Sequence, residues 1–320
     1  MRARSGLSIF CLVLTACGAR SEIRGGLPDA SIVDAGGDEP ITTSSCASGV
    51  VQIATTGAQP DTIVLDGDWV YWHDATGIFR AKKTGGPPET LAQPALYFWP
   101  DLAAFAVGDG HLFYGDGDAI VFQGTTIDKL PSPGFAAGPS HVFAWSRDVL
   151  PSPLFRYAFD GTGGITGGSF PHKTSTLAFQ PVETICAAED PAVECAGQLL
   201  SGLSATDLVV TANDVWFTSN DSTNGARVMH VAMPSLKTAP LADTTGAFAI
   251  AQDDTNLYFT DGLGLRVRRI EGKTGPVSDI ASDSSFGPVD LVVDDTCVYW
   301  TASSRFDKTG SGVVMAGPKN

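Results

Sequence analysis

The chain has no long apolar run, is short of basic residues and histidine, and is interrupted too often by glycine and proline for long helices. Each shortage closes off a class of protein. The apolar stretch through Leu7, Ile9, Phe10, Leu12, Val13 and Leu14 is roughly ten residues, about half of the ~20 that a helix needs to cross a bilayer, and nothing later is longer. Lys and Arg number 20 against 35 Asp and Glu, for a formal charge of −15. So acidic a surface repels phosphate backbones, which argues against a nucleic-acid partner. The 36 Gly and 20 Pro break helices, while a hydrophobic content of 43% still supplies a core rich in turns. His73, His111, His141, His172 and His230 form no i, i+4 pair and no Gly-x-Ser-x-Gly elbow accompanies them. They read as surface or turn residues, with His73 beside Asp74 nearest to a general base. No catalytic set emerges.

The amino end is informative. Arg2 and Arg4, the apolar core and then Thr15-Ala16-Cys17 have the layout of a secretory signal. Leu14-Thr15-Ala16-Cys17 resembles the bacterial lipobox, which implies a signal peptide over residues 1–16 and a lipid on Cys17 as the first mature residue. Acyl chains at ~0.8 kcal/mol per buried methylene would then hold the protein to a membrane by the lipid anchor alone. Gly18 in place of Asp implies the outer membrane, on its periplasmic side or at the cell surface. Loss of Arg2 and Arg4 takes the mature charge to −17. Residues 17–45 are rich in Gly, Ser, Asp and Pro with little apolar periodicity, the composition of a flexible tether.

Setting aside Cys11 and Cys17, four cysteines remain: Cys46, Cys186, Cys195 and Cys297. Export makes disulfides the first reading, and four cysteines allow three pairings. Cys186 and Cys195 flank an acidic, proline-containing turn and are paired here; Cys46 with Cys297 follows by elimination and closes a loop of about 250 residues. No Cys-x-x-Cys or paired histidines accompany them to make a zinc site.

A repeat fills residues 46–320. An apolar run, a polar turn and an aromatic-centred strand recur: Ile63-Val64-Leu65 with Val70-Tyr71-Trp72, Leu208-Val209-Val210 with Val215-Trp216-Phe217, Phe248-Ala249-Ile250 with Leu257-Tyr258-Phe259, and Leu291-Val292-Val293 with Val298-Tyr299-Trp300. Weaker copies are Phe105-Ala106-Val107 with Leu112-Phe113-Tyr114 and Phe135-Ala136-Ala137 with Val142-Phe143-Ala144. The aromatic strands begin at 70, 112, 142, 215, 257 and 298, giving steps of 42, 30, 73, 42 and 41. A third and a fourth short strand follow each couplet, and four strands per ~40 residues is one blade of a β-propeller. The couplets Tyr71-Trp72-His73-Asp74, Tyr258-Phe259-Thr260-Asp261 and Tyr299-Trp300-Thr301 resemble the YWTD repeats of low-density-lipoprotein-receptor-type propellers and related bacterial secreted proteins. That resemblance implies fold, not chemistry.

The expected fold is therefore all-β, a propeller of four-stranded antiparallel blades. The last unit lacks a fourth strand, which Val50 to Thr55 can supply, closing the ring and removing a sheet edge. Residues 171–202 hold no Trp or Tyr and no couplet, so six blades with a disulfide-bonded insertion there are preferred over seven with a degenerate one.

The loops from second to third strand define an upper rim carrying Asp74, Asp116, Asp118, Asp148, Asp221 and Asp261, with Arg147, Arg305 and Asp307. Acidic residues there suit a cation or a basic partner, although Asp and Gly are also what tight turns use. Asp66-Gly67-Asp68 and Gly115-Asp116-Gly117-Asp118 read as hairpin turns, since neither continues into a calcium-binding loop. Tyr97, Phe98 and Trp99 place three aromatics before Pro100, either as a binding surface or packed over the channel. The expected function is a non-enzymatic, monomeric, membrane-tethered binding or scaffold module whose partner is a protein, glycan or envelope polymer. The rival is a calcium-dependent hydrolase or lyase with its site at the central channel mouth.

Overall fold

The computed structural model describes residues 45–93, 105–131, 133–137, 141–146, 152–170, 174–179, 185–189, 192–195, 198–201, 205–211, 213–221, 225–233, 235–283, 285–304 and 310–319. Those residues form 28 strands in seven four-stranded antiparallel sheets. Blade 1 comprises Pro60–Asp66, Trp69–Asp74, Gly77–Lys82 and Glu89–Ala92. Blade 2 comprises Phe105–Gly108, His111–Asp116, Ala119–Phe122 and Thr125–Lys129. Blade 3 comprises Pro133–Ala137, His141–Ser146, Ser152–Ala158 and Gly163–Phe170. Blade 5 comprises Ala205–Val210, Asp214–Asp221, Gly225–Ala232 and Lys237–Thr244, and blade 6 comprises Ala247–Gln252, Leu257–Asp261, Arg266–Ile270 and Val277–Ser282. Blade 7 takes three strands from Phe286–Val293, Cys297–Ser304 and Gly312–Pro318, and in its sheet Val51–Thr56 pairs antiparallel with Gly312–Pro318.

Six of these sheets are the six couplets of the sequence. The remaining sheet is blade 4, made of Thr174–Phe179, Ile185–Glu189, Ala192–Cys195 and Gln198–Ser201. Residues 171–202 thus contain a four-stranded unit rather than an insertion, and the sheets number seven, the less favoured count. Ile185 opens the second strand 43 positions after Val142 and 30 before Val215, so the step of 73 conceals an ordinary blade spacing. Its Ile-Cys-Ala-Ala-Glu sequence lacks the aromatics that mark the other copies.

The core lies between blades, which explains why the second strands are apolar on both faces. Tyr71 and Ile78 of blade 1 pack with Phe105, Val107 and Leu112 of blade 2. Val209 and Trp216 of blade 5 meet Ile250, Leu257 and Phe259 of blade 6. Val292 and Tyr299 of blade 7 meet Ile63 and Trp72 of blade 1, so the first and last blades are neighbours. Each such side chain, fully buried, contributes roughly 1.5–3 kcal/mol. The fourth strands are less buried: Val277–Ser282 shows only exposed and half-buried residues because it is the outer strand of its sheet.

Near the upper end, the first strands of blades 1, 5, 6 and 7 carry register shifts, between Pro60 and Thr62, Ala205 and Asp207, Ala247 and Ile250, and Pro288 and Leu291. A bulge leaves a residue unpaired and re-aims side chains. These four irregularities shape the upper face.

Candidate functional site: the upper rim

Two rim carboxylates end the second strands of their blades and are buried. Asp74 is 1% exposed, and its Oδ1 accepts hydrogen bonds from the Thr76 backbone N–H at 2.7 Å and the Thr76 hydroxyl at 2.6 Å. This caps the tight turn into Gly77–Lys82. Asp261 is 4% exposed, and its Oδ1 accepts from the N–H of Thr245, Gly246 and Gly264, each at 3.1 Å, and from the Thr245 hydroxyl at 2.7 Å. It ties the loop after its own strand to the connection that enters its blade. Each commits Oδ1 to turn donors, while Asp74 Oδ2 is buried without a hydrogen-bond partner.

Asp116 pairs with Ala119 across a two-residue turn, Gly117-Asp118, in which Gly117 takes φ 64°. That is the hairpin geometry that glycine permits. Burial, followed by the charge of Asp116, raises the hydroxyl pKa of Tyr114. Asp66-Gly67-Asp68 is likewise a hairpin turn, at the opposite, lower end, where Asp66 Oδ2 accepts from Gly110 N–H of blade 2 at 2.7 Å. Asp221 ends the second strand of blade 5, with its backbone in register with Gly225. Cys17, Tyr97, Phe98, Trp99, Asp148, Arg147, Arg305 and Asp307 lie outside the described residues.

His73 is 8% exposed, with Nδ1 3.1 Å from Asp61 Oδ1. Asp61 is the bulge residue of blade 1, so the bulge supplies the histidine with an orienting carboxylate. His230 has Nε2 2.6 Å from Asp214 and stacks on Trp216. His111 lies tilted against Phe122. Burial and then the charge of Arg156 lower the pKa of His141. Among the described residues no three His, Cys, Asp or Glu side chains are grouped to hold a metal ion.

The cysteines fall as two pairs. Cys46 and Cys297 form a disulfide with Cα atoms 6.1 Å apart, both 1% exposed. Cys186 and Cys195 stand directly opposite each other in the pairing of the second and third strands of blade 4.

Two buried carboxylates do structural work that the sequence reading passed over. Asp207 Oδ1 accepts from its neighbour Leu208 N–H at 2.9 Å while Oδ2 reaches across to Ile250 N–H of the next blade at 3.0 Å. Asp290 repeats this, to Leu291 at 2.9 Å and to Ile63 of blade 1 at 3.0 Å. Each sits beside a bulge and pins one innermost strand to the next. The signal was present, since Asp-Leu-Val-Val occurs identically at 207–210 and 290–293. The rim also exposes Phe248 (40%) and Leu263 (50%) on blade 6, neither of which the sequence analysis placed at the surface.

No protein-family model matches the chain, and no curated protein matches it in sequence. Solved structures match in fold. The chain is similar to the Neurospora crassa Pan2 WD40 domain, with a TM-score of 0.61 at 10% identity over 85% of this chain and 96% of that one. It is similar to virginiamycin B lyase from Staphylococcus aureus, with a TM-score of 0.59 at 13% identity over 83% and 97%. YCF48, determined bound to D1 peptide, gives 0.61 at 10% identity over 85% and 94%. At such identities the likeness establishes the β-propeller and nothing narrower.

Proposed function

We propose that this propeller is a non-enzymatic binding or scaffold module, exported and tethered to the outer membrane through a lipid on Cys17, presenting its upper face to a protein partner. The observation that carries the reading is the use of Asp74 and Asp261 as turn caps. Asp74 and Asp261 each commit Oδ1 to turn donors, whereas Phe248 and Leu263 stand exposed on the blade that carries Asp261. Exposed apolar side chains on a rigid rim suit contact with another polypeptide. YCF48 with its bound peptide is a precedent for the fold. Immobilised full chain should retain a component of envelope extract saturably; retention no greater than by heat-denatured protein would sink the reading. Cys17→Ser should move the chain from the membrane to the soluble fraction, and an unchanged distribution would remove the lipid tether. In blade 4, the opposed Cys186 and Cys195 support a second disulfide.

One observation favours the enzymatic alternative, a calcium-dependent hydrolase or lyase at the channel mouth: His73 has the carboxylate partner of an oriented general base. Thermal melting with calcium and with chelator tests it. Equal midpoints count against a bound ion.

A further inference from the structure

Three large hydrophobic residues are exposed among the described residues, Val50 (45%), Phe248 (40%) and Leu263 (50%), and all three lie at the junction of blades 6 and 7. Phe248 and Leu263 are held in place by glycine. A Cβ at Gly262 would collide with the Phe248 ring and with Pro288 O, and a Cβ at Gly246 would collide with Leu263. The two side chains therefore lie flat on backbone, which fixes their orientation at the upper rim. Below them a groove of about 220 Å³ lies between the third and fourth strands of blade 6 and the first three strands of blade 7. Leu265, Val267, Ile280, Phe286 and Met315 line it, with Val50 at its lower end. Pro288 belongs both to the groove wall and to the contact beneath Phe248, so the exposed pair and the groove are one surface.

We infer that this surface docks an extended peptide segment bearing apolar side chains and at least one lysine or arginine. The inference rests on the binding reading above and gives it a location and a ligand chemistry. The extended form follows the wall: Ile280–Ser282, the end of the outer strand of blade 6, lines the groove, and an extended segment can lie along it. Apolar side chains match the lining. The basic residue matches Asp283, the single charged residue on the walls, within a chain of net charge −15. The Asp283 carboxyl accepts from the N–H groups of Ser285 and Phe286 through Oδ1, which fixes it at the upper mouth.

The probe is a fluorescein-labelled peptide of four Lys-Val repeats, with a Glu-Val counterpart, titrated onto the full chain by anisotropy. The Lys-Val peptide should bind, and the Phe248→Ser, Leu263→Ser double variant should weaken it by about tenfold or more. Both positions are exposed, so the variant should melt as the wild type does. Asp283→Asn should narrow the preference for Lys-Val over Glu-Val. Equal binding to wild type and double variant would overturn the inference, as would equal affinity for the two peptides or no binding of Lys-Val. Self-association of the chain abolished by the double variant would overturn it in favour of a second copy. Selection from a random peptide library separates the two failures. Library peptides that bind but ignore the double variant remove only this location, whereas no binder at all removes the binding reading with it.

Discussion

Replacing Cys46 and Cys297 by alanine should lower the melting temperature of the propeller by about 8 °C. Cys46 lies in the turn Ser45–Ser48 just ahead of Val51–Thr56, and Cys297 opens the second strand of blade 7. Their separation of 251 residues means that the bond restrains nearly the whole unfolded domain. The chain-entropy relation values a loop of this size at about 5 kcal/mol. A domain of this length unfolds with an entropy of roughly 0.6 kcal/mol per degree, and the ratio gives the shift. Calorimetry of the wild type and the double alanine variant reads it directly. Hydrogen exchange separates a second possibility, in which only Val51–Thr56 peels away from Gly312–Pro318. In that case exchange accelerates at those two strands while the main transition barely moves. A shift below about 2 °C with unchanged exchange at both strands would refute the entropic account.

Asp290→Ala should cost roughly 2–5 kcal/mol in denaturant unfolding, because it strands the buried N–H groups of Leu291 and Ile63; Asp290→Asn, which keeps an acceptor, should cost less, and equal losses would sink the bridging role. Acid should destabilise the lower face. Burial alone would raise the carboxyls of Asp253 and Asp294, but Lys319 with the Asn256 and Thr255 N–H groups, and Lys83 with the Cys297 and Thr296 N–H groups, hold them below the ordinary carboxylate value. A depressed folded pKa gives stability that is present above the unfolded value near ~3.9 and lost as pH falls through the folded one. The urea midpoint should therefore hold down to about pH 5 and decline below about pH 4. Asp253→Asn with Asp294→Asn should flatten that decline, and an unchanged decline would contradict the assignment.

The couplets were legible because a buried strand between two blades must be apolar on both faces and favours bulky aromatics, which leaves a dense local pattern. Blade 4 was not, since Ile185-Cys186-Ala187-Ala188-Glu189 adopts the same strand with small side chains. The positions of Asp74 and Asp261 at the ends of second strands were also readable. Their role was not, because the Thr245, Gly246 and Thr76 donors to their Oδ1 atoms come from turn geometry that residue type alone does not give. Phe248 shows the limit most sharply. In sequence it belongs to an apolar strand and points to the core. The register shift between Ala247 and Ile250 inserts a residue and turns it to solvent.

The strand Val51–Thr56 leaves the ribosome at the start of the folded domain, yet Gly312–Pro318, against which it lies, comes at the very end. Blades 1 to 6 are each built from four consecutive strands. Blade 7 is not, because its outermost strand must wait for three strands made some 230 residues later. During that interval Val51–Thr56 waits for the strand it pairs with. Closing the ring thus joins the oldest and youngest segments, and the Cys46–Cys297 disulfide, which an external oxidant must form by taking two electrons from the two thiols, records that the join has been made.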